Sequence, residues 1–362
     1  MRVPGRRNRL VRVLLPGLAL LGGFGTLEGI AGASASHAPP SSPRGASATS
    51  APAKGGHSLE TKLAEGNEAL ASGDLPKAAR AYAAAATLAP RDARPLVGQV
   101  RVSLAEARIP TEYASAPEDA RVARAQAQLR RALELDPRSG EAWLELGRAQ
   151  LVQGDAPAAA LSLDQARALL PKDPEAASAR GIAALAQGDL EGALRALATA
   201  AELEPLSPDR QENLGSALLL GGNAAEALPP LTKALALDPH NPRRLNALGA
   251  AKLSAGAAEE AIALLSEACT LAPEQGLYAS NLGQAYRQAG RLTEAEAALR
   301  RATSLSPGLG SAWLNLGHLL GERQDCVGAR AAYAKAAALP TDAARAAEAQ
   351  GELAGLCPPS GP

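Results

Sequence analysis

The feature that most constrains this chain is a set of small and turn-forming residues that recurs every 34 residues. A glycine keeps this step over six positions from Gly147 to Gly317, and alanines follow each glycine at fixed distances, as Ala159 and Ala166 follow the first. A proline keeps the same step from Pro171 onward. An earlier copy of the set carries the same offsets: Gly66, Ala78, Ala85 and Pro90. Residues held in register over so many units indicate a repeat architecture.

The content of each unit predicts two helices joined by a tight turn. In Gly154-Asp155 the glycine can adopt the left-handed conformation that ends a helix, and the aspartate can cap the next one. The two alanines lie seven residues apart, on one face of the second helix, and the repeated glycine and the first alanine are the expected points of closest approach. The proline ends the second helix. Aromatic residues make up only 2% of the chain, so alanine and leucine must fill the core, and a sheet is not expected.

These residues resemble a tetratricopeptide repeat. Residues 140–173 carry the family's residues at Trp143, Leu146-Gly147, Gly154-Asp155, Ala159, Ala166 and Pro171. Residues from 310 onward open another match, with Trp313, Leu316-Gly317 and Tyr333. The resemblance implies an all-α, right-handed superhelical solenoid of about eight helical hairpins with a carboxy-terminal capping helix. The units are expected at residues 59–92, 93–139, 140–173, 174–207, 208–241, 242–275, 276–309 and 310–340.

Several positions depart from the repeat. The second unit is 13 residues over the period, has Val100 where glycine is expected, and carries residues 107–120 as an insertion between its helices. Pro229-Pro230 predicts a kink or a late helix start. Gln324 replaces the turn glycine of the eighth unit. Residues 341–357 are predicted to form the capping helix, followed by a tail at 358–362.

The amino terminus has the layout of a secretory signal peptide. Residues 1–12 are rich in arginine, residues 13–24 are apolar, and Ala33-Ser34-Ala35 fits a cleavage site. We expect a signal peptide at 1–35 and a disordered linker at 36–57, which lacks large apolar residues. The chain is therefore predicted to be exported, to the periplasm or outside the cell. The alternative is an uncleaved segment that anchors it to a membrane.

Composition and motifs argue against enzymatic and nucleic-acid-binding functions. Without the first 35 residues, 32 basic and 36 acidic residues remain, which leaves no basic excess for phosphates. The four histidines show no metal-ligand spacing, and no nucleophile elbow, zinc or P-loop motif is present. We expect no enzyme activity, cofactor, metal or nucleic-acid partner, and membrane contact only if the amino-terminal segment is uncleaved.

The resemblance also implies a concave groove lined by first helices, which binds partner peptides or helices. The corresponding positions are Leu144, Arg148, Leu151, Ile182, Leu185, Ser216, Leu219, Asn246, Leu253, Ser280, Gln284, Arg287, Leu314, His318 and Glu322. The central members are apolar and the carboxy-terminal members polar. Two interpretations stay open for Leu151, Leu185, Leu219 and Leu253: they line an apolar groove, or they pack between helices.

The predicted function is a non-enzymatic scaffold for protein–protein interactions in the cell envelope. Two alternatives remain: a structural tether held by an uncleaved anchor, and an accessory subunit of an envelope enzyme complex.

The chain has three cysteines. Cys269 is expected to be a small buried apolar residue. Cys326 starts a predicted second helix and Cys357 follows the capping helix. These two helices should be antiparallel neighbours, which predicts a Cys326–Cys357 disulfide. Two free thiols or pairing between chains are the alternatives.

Overall fold

The computed structural model describes residues 58–109 and 113–339, together with Ala347 and Gly351. They belong to two compact units, divided between Ala183 and Ala184. Regular structure in these residues is entirely helical, so the prediction of an all-α repeat fold is confirmed. The predicted signal peptide, linker and tail, and Cys357, lie outside the described residues, as does the predicted capping helix apart from Ala347 and Gly351.

The N-terminal unit contains three complete pairs of helices and most of α7, which continues past the division. Its helices are α1 (Leu59–Ala71), α2 (Leu75–Leu88), α3 (Arg94–Glu106), α4 (Ala120–Leu135), α5 (Gly140–Gln153), α6 (Ala156–Leu169) and α7 (Pro174–Ala186). Each helix packs mainly on the helices next to it in the chain. The described part of the insertion, residues 107–109 and 113–119, connects α3 to α4.

The C-terminal unit continues the same alternation. Its helices are α8 (Leu190–Leu203), α9 (Pro208–Leu220), α10 (Ala224–Leu237), α11 (Pro242–Ser254), α12 (Ala258–Leu271), α13 (Gly276–Gln288), α14 (Leu292–Leu305), α15 (Gly310–Glu322) and α16 (Cys326–Ala337). Odd-numbered helices are the first helices of the pairs, and even-numbered helices are the second. Within this unit, first helices also contact the next first helix, as α13 contacts α15.

The turns inside the pairs form as the sequence predicts. Six turn glycines, from Gly73 to Gly290, have φ between 75° and 85°. The aspartate that follows caps the second helix where it is present: the Asp155 carboxylate accepts from the Ala158 amide at 3.1 Å, and Asp189 accepts from Gly192 at 2.9 Å. In the last pair Gln324 takes the left-handed conformation itself, with φ 62°. The turn geometry therefore persists where glycine is lost.

The repeated glycine on the first helix has a different principal contact from the one expected. A Cβ atom built on Gly147 would lie 2.5 Å from Cγ of Leu163, and one on Gly215 2.5 Å from Cγ of Leu231. The next residue that the Gly215 Cβ would meet is Ala227, the repeated alanine, whose backbone carbonyl oxygen lies 3.3 Å away. The glycine thus makes room mainly for a leucine one turn beyond the alanine, so the sequence-based assignment of the closest contact was incomplete.

The paired prolines do not delay their helix. Helix α10 begins at Ala224 and includes both Pro229 and Pro230, so the predicted late start is wrong. Proline cannot donate to the carbonyls of Ala225 and Glu226 four residues earlier. Both of these residues are exposed, so water can satisfy their carbonyls while Ala227 and Leu231 stay buried on the inner face.

Among the described residues, no helix is both long enough and apolar enough to span a bilayer.

Candidate functional site

The predicted partner-binding positions all lie on first helices, and most are closed off by the chain's own packing. Ten of the fifteen are buried: Leu144, Arg148, Leu151, Ile182, Leu185, Ser216, Asn246, Leu253, Ser280 and Leu314. Leu219, Gln284, Arg287 and His318 are half-buried, and Glu322 is exposed. The accessible members of the set therefore lie in the C-terminal unit.

The burial of the leucines bears on the two interpretations left open by the sequence. Leu151 is completely buried, Leu185 is 2% exposed and Leu253 is 7% exposed. Side chains so enclosed make their contacts within the chain. This favours packing between helices for these three, and leaves Leu219 as the accessible leucine of the group.

Arg148 belongs to a network of charged side chains that links successive first helices of the N-terminal unit. Arg101 on α3 contacts Glu145 on α5 at 2.7 Å and Glu141 at 3.3 Å. Arg148 lies 3.7 Å from Glu145 and 3.6 Å from Glu175 on α7. Burial by itself would lower the pKa of Arg101, but the carboxylates of Glu145 and Glu141 outweigh it and raise that pKa above its ordinary value. These buried groups are thus occupied with one another.

A second charged network joins α9 to α11 in the C-terminal unit. Arg243 contacts Asp209 at 2.9 Å and Glu212 at 3.0 Å, and Arg244 contacts Asp209 and Asp238 at 2.5 Å each. Burial raises the pKa of Glu212, although the guanidinium groups of Arg243 and Arg244 oppose the rise. Removing one partner from such a cluster would leave an uncompensated buried charge, which is strongly destabilising.

Further along the same unit, neighbouring first helices are joined by hydrogen bonds between uncharged side chains and then by a surface ion pair. Asn281 on α13 donates to the Asn246 side-chain oxygen on α11 at 2.8 Å, and Asn315 on α15 donates to Ser280 at 3.3 Å. Near the ends of α13 and α15, Arg287 contacts Glu322 at 2.5 Å. This last pair is accessible to solvent.

The surface left on α13 and α15 is polar. Gln284 and Arg287 lie on α13, and His318 and Glu322 lie on α15, which contacts it. His318 is fixed by the Tyr333 hydroxyl, which lies 3.2 Å from Nδ1. We call these four residues the polar strip. Such side chains can bond to the backbone and polar groups of a bound peptide.

The insertion in the second unit makes contacts that the sequence did not suggest. The amides of Ala114 and Ala116 donate to the carbonyls of Leu151 and Val152 at 2.9 and 3.1 Å. The Tyr113 hydroxyl donates to the Gly154 carbonyl at 3.0 Å. The insertion thus caps the end of α5 and covers Val152, which is 4% exposed. Its lack of regular pattern gave no signal for this contact.

The described residues hold no group of three or more histidine, cysteine or acidic side chains placed to bind a metal. Cys269 is buried, and burial raises the pKa of its thiol, which suppresses the reactive thiolate. Cys326 opens α16, but Cys357 lies outside the described residues, so the Cys326–Cys357 disulfide stays a prediction.

Successive helical pairs, left-handed turns and stacked first helices define a helical repeat protein. Models of the tetratricopeptide repeat match residues 118–174, 178–242 and 278–319. These parts of the chain are therefore tetratricopeptide repeats. A search of curated proteins finds no match.

Two solved structures show the same fold. The APC/C hetero-tetramer Cut9–Hcn1 is 18% identical with a TM-score of 0.60, over 81% of this chain and 55% of that one. This chain therefore corresponds to about half the length of that relative. A tetratricopeptide repeat protein from Parabacteroides merdae is 15% identical with a TM-score of 0.58, over 72% of this chain and 98% of the other. At such identities the likeness shows the fold alone. Repeats of this family typically form non-catalytic scaffolds for protein interactions, and the fold of this chain supports a protein-interaction scaffold.

Proposed function

We propose that the chain is a non-enzymatic scaffold that binds a peptide segment of a partner protein along the polar strip. The observation that carries this is the contrast in accessibility along the first helices. The predicted positions in the N-terminal unit are buried, whereas on the neighbouring helices α13 and α15 Gln284, Arg287 and His318 are half-buried and Glu322 is exposed. Helical repeats use such surfaces for extended or helical peptides.

A photo-cross-linking residue tests this proposal. We place it at Gln284 in the strip, and at Ala263 as a control, an exposed position on the second helix α12. The proposal expects a discrete protein adduct from position 284 that unmodified chain competes away. It also expects loss of that adduct when Arg287→Glu and His318→Ala are introduced together. Equal adducts from both positions would contradict the assignment of the site.

We also propose that the scaffold works outside the cytoplasm. The arginine-rich start, the apolar residues 13–24 and the Ala33-Ser34-Ala35 sequence support this. The mass of the chain recovered from the envelope or medium tests it. Export with cleavage expects a chain that starts at Ser36, whereas an intact amino terminus in the membrane fraction supports the tether instead.

A further inference from the structure

Basic side chains that lack an acidic partner are concentrated in the N-terminal unit. Within the described residues, those without an ion pair in this unit are Lys77, Arg80, Arg91, Arg108, Arg124, Arg130, Arg131, Arg138, Arg167 and Lys172. In the described part of the C-terminal unit the corresponding set is Lys233, Arg301 and Lys335. Net charge does not show this difference, because the described part of the N-terminal unit has 16 basic and 16 acidic residues, and acids such as Glu106 and Glu118 also have no ion pair. The distinguishing feature is where the unpaired cations lie.

The unpaired cations share a location in the repeat. Apart from Arg108, they lie on the second helices α2, α4 and α6 or in the turn directly after each. The first helices of the unit instead carry Arg101 and Arg148, which are paired with glutamates. Charge is therefore segregated: compensated pairs between first helices, and uncompensated cations on second helices.

Helix α4 forms the centre of this basic surface. Arg124 and Arg131 are seven residues apart, hence on one face, and both are exposed. The opposite face buries Val122, Ala125 and Leu129 against the neighbouring first helices. Within α4, Glu134 is the only carboxylate, and no arginine pairs with it.

Large apolar side chains are exposed on the same three helices, as they are on second helices of the C-terminal unit, for example at Leu203 and Leu271. What distinguishes α2, α4 and α6, with the turns after them, is that exposed leucines occur together with several unpaired cations. Leu88 ends α2 and is 49% exposed, Leu135 ends α4 and is 39% exposed, and Leu161 on α6 is 71% exposed. Second helices that present both cations and leucines have the composition of a surface that rests on a bilayer interface. Aromatic residues for base stacking are scarce, which disfavours a nucleic acid.

We propose that the second helices α2, α4 and α6 dock on an anionic phospholipid surface. The positive charges match the headgroups, and the leucines reach the interfacial layer. If the amino-terminal segment stays uncleaved, its apolar residues 13–24 would also hold this face near lipid at high effective concentration, but the docking proposed here does not depend on that segment. The site is separate from the polar strip and lies in the other unit.

Vesicle flotation of the full chain tests the proposal. Phosphatidylcholine vesicles with and without phosphatidylglycerol are compared. The arginine-rich amino terminus also favours anionic vesicles, but it is the same in every variant, so its contribution cancels when the variants are compared with one another. Arg124→Gln with Arg131→Gln should weaken binding to the anionic vesicles by about fivefold per residue, about 25-fold for the pair. Binding of the unaltered chain should fall as salt is raised, because salt screens exposed charges.

The matched control is Lys233→Gln with Lys335→Gln, which removes two exposed, unpaired cations from the C-terminal unit. It should leave anionic-vesicle binding unchanged. An equal loss in the control, or no dependence on phosphatidylglycerol, would overturn the proposal. The proposal would also be overturned if Arg124→Gln with Arg131→Gln lost binding to soluble polyglutamate but kept its binding to anionic vesicles. That result would assign the face to an acidic protein. If Arg124→Gln with Arg131→Gln lowers the melting temperature, Arg80→Gln with Arg124→Gln is used in its place. Unchanged binding of this second variant to anionic vesicles would also overturn the proposal.

Discussion

The ring of Tyr82, on α2, packs directly against Gly98, on the first helix of the next pair. A Cβ atom built on Gly98 would lie 2.3 Å from Cε1 of Tyr82, and one built on Gly66 2.7 Å from the same atom. The Tyr82 hydroxyl donates to the Asn67 side chain at 2.6 Å, which holds the ring in place. The tyrosine therefore needs glycine on both sides.

We expect Gly98→Ala to destabilise the chain by about 1–3 kcal/mol, because the added methyl overpacks a fully buried site. Alanine's better helix propensity returns about 1 kcal/mol at most, so overpacking wins. In a Tyr82→Leu background, which matches Leu163 and Leu231 in later pairs, the same change should cost much less. Urea unfolding of the four chains gives the coupling energy.

Gly308→Ala is the control for that cycle, since nothing lies within 4 Å of its Cβ position. It should be close to neutral. An additive cycle between Gly98 and Tyr82 would contradict the packing described above.

Tyr82 also predicts a loss of stability at alkaline pH. Burial raises its pKa from 10.0 to about 12, while the unfolded chain keeps the ordinary value. The tyrosine is thus neutral in the folded state and ionised in the unfolded state between these values, so its stabilising contribution, complete below pH 10, is lost as pH rises to about 12. The loss amounts to about 2–3 kcal/mol.

Unfolding of wild type and Tyr82→Phe at a series of pH values measures this effect. Phenylalanine loses the hydrogen bond to Asn67 at every pH, so the variant starts less stable. Its stability should then fall less between pH 10 and 12 than that of wild type. Parallel curves for the two chains would show that Tyr82 ionises normally.

The turns and helix pairs could be predicted from the sequence because they depend on local chemistry. A glycine with positive φ at Gly154 and a capping aspartate at Asp155 act within a few residues, and both recur with the period. The contact between Tyr82 and Gly98 could not be predicted in this way. It joins two pairs, and Gly98 falls two residues before Val100, outside the repeated positions.

The turn of the last pair offers a substitution that should stabilise the chain. Gln324 has φ 62° where the preceding pair has Gly290 with φ 75°. A side chain in the left-handed region costs about 1–2 kcal/mol. Glycine removes this cost, but it also raises the conformational entropy of the unfolded chain, which offsets part of the gain. Gln324→Gly should therefore stabilise by about 0.5–1 kcal/mol. The reciprocal Gly290→Gln should destabilise by a similar amount in thermal unfolding, and effects of the same sign would rule out this explanation.

The candidate site was only partly predictable, because burial depends on neighbouring helices and on pairing. The sequence located Arg148 and Gln284 at equivalent repeat positions, but Arg148 is buried among glutamates and Gln284 remains accessible. The packing of the insertion over Val152 could not be predicted either, because no sequence pattern marks it. Likewise, a net charge near zero concealed unpaired cations such as Arg124 and Arg131.

Leu151 and Leu219 occupy the same repeat position but differ in exposure, which separates packing from partner binding. Leu151 is 0% exposed, so Leu151→Lys buries an unpaired charge and should destabilise by several kcal/mol. Leu219 is half-buried, and a lysine there can extend its ammonium group into water, so Leu219→Lys should cost about 1 kcal/mol or less. Melting temperatures of the two variants make the comparison. Similar melting temperatures would mean that Leu151 reaches solvent after all, and would return it to the accessible part of the predicted groove.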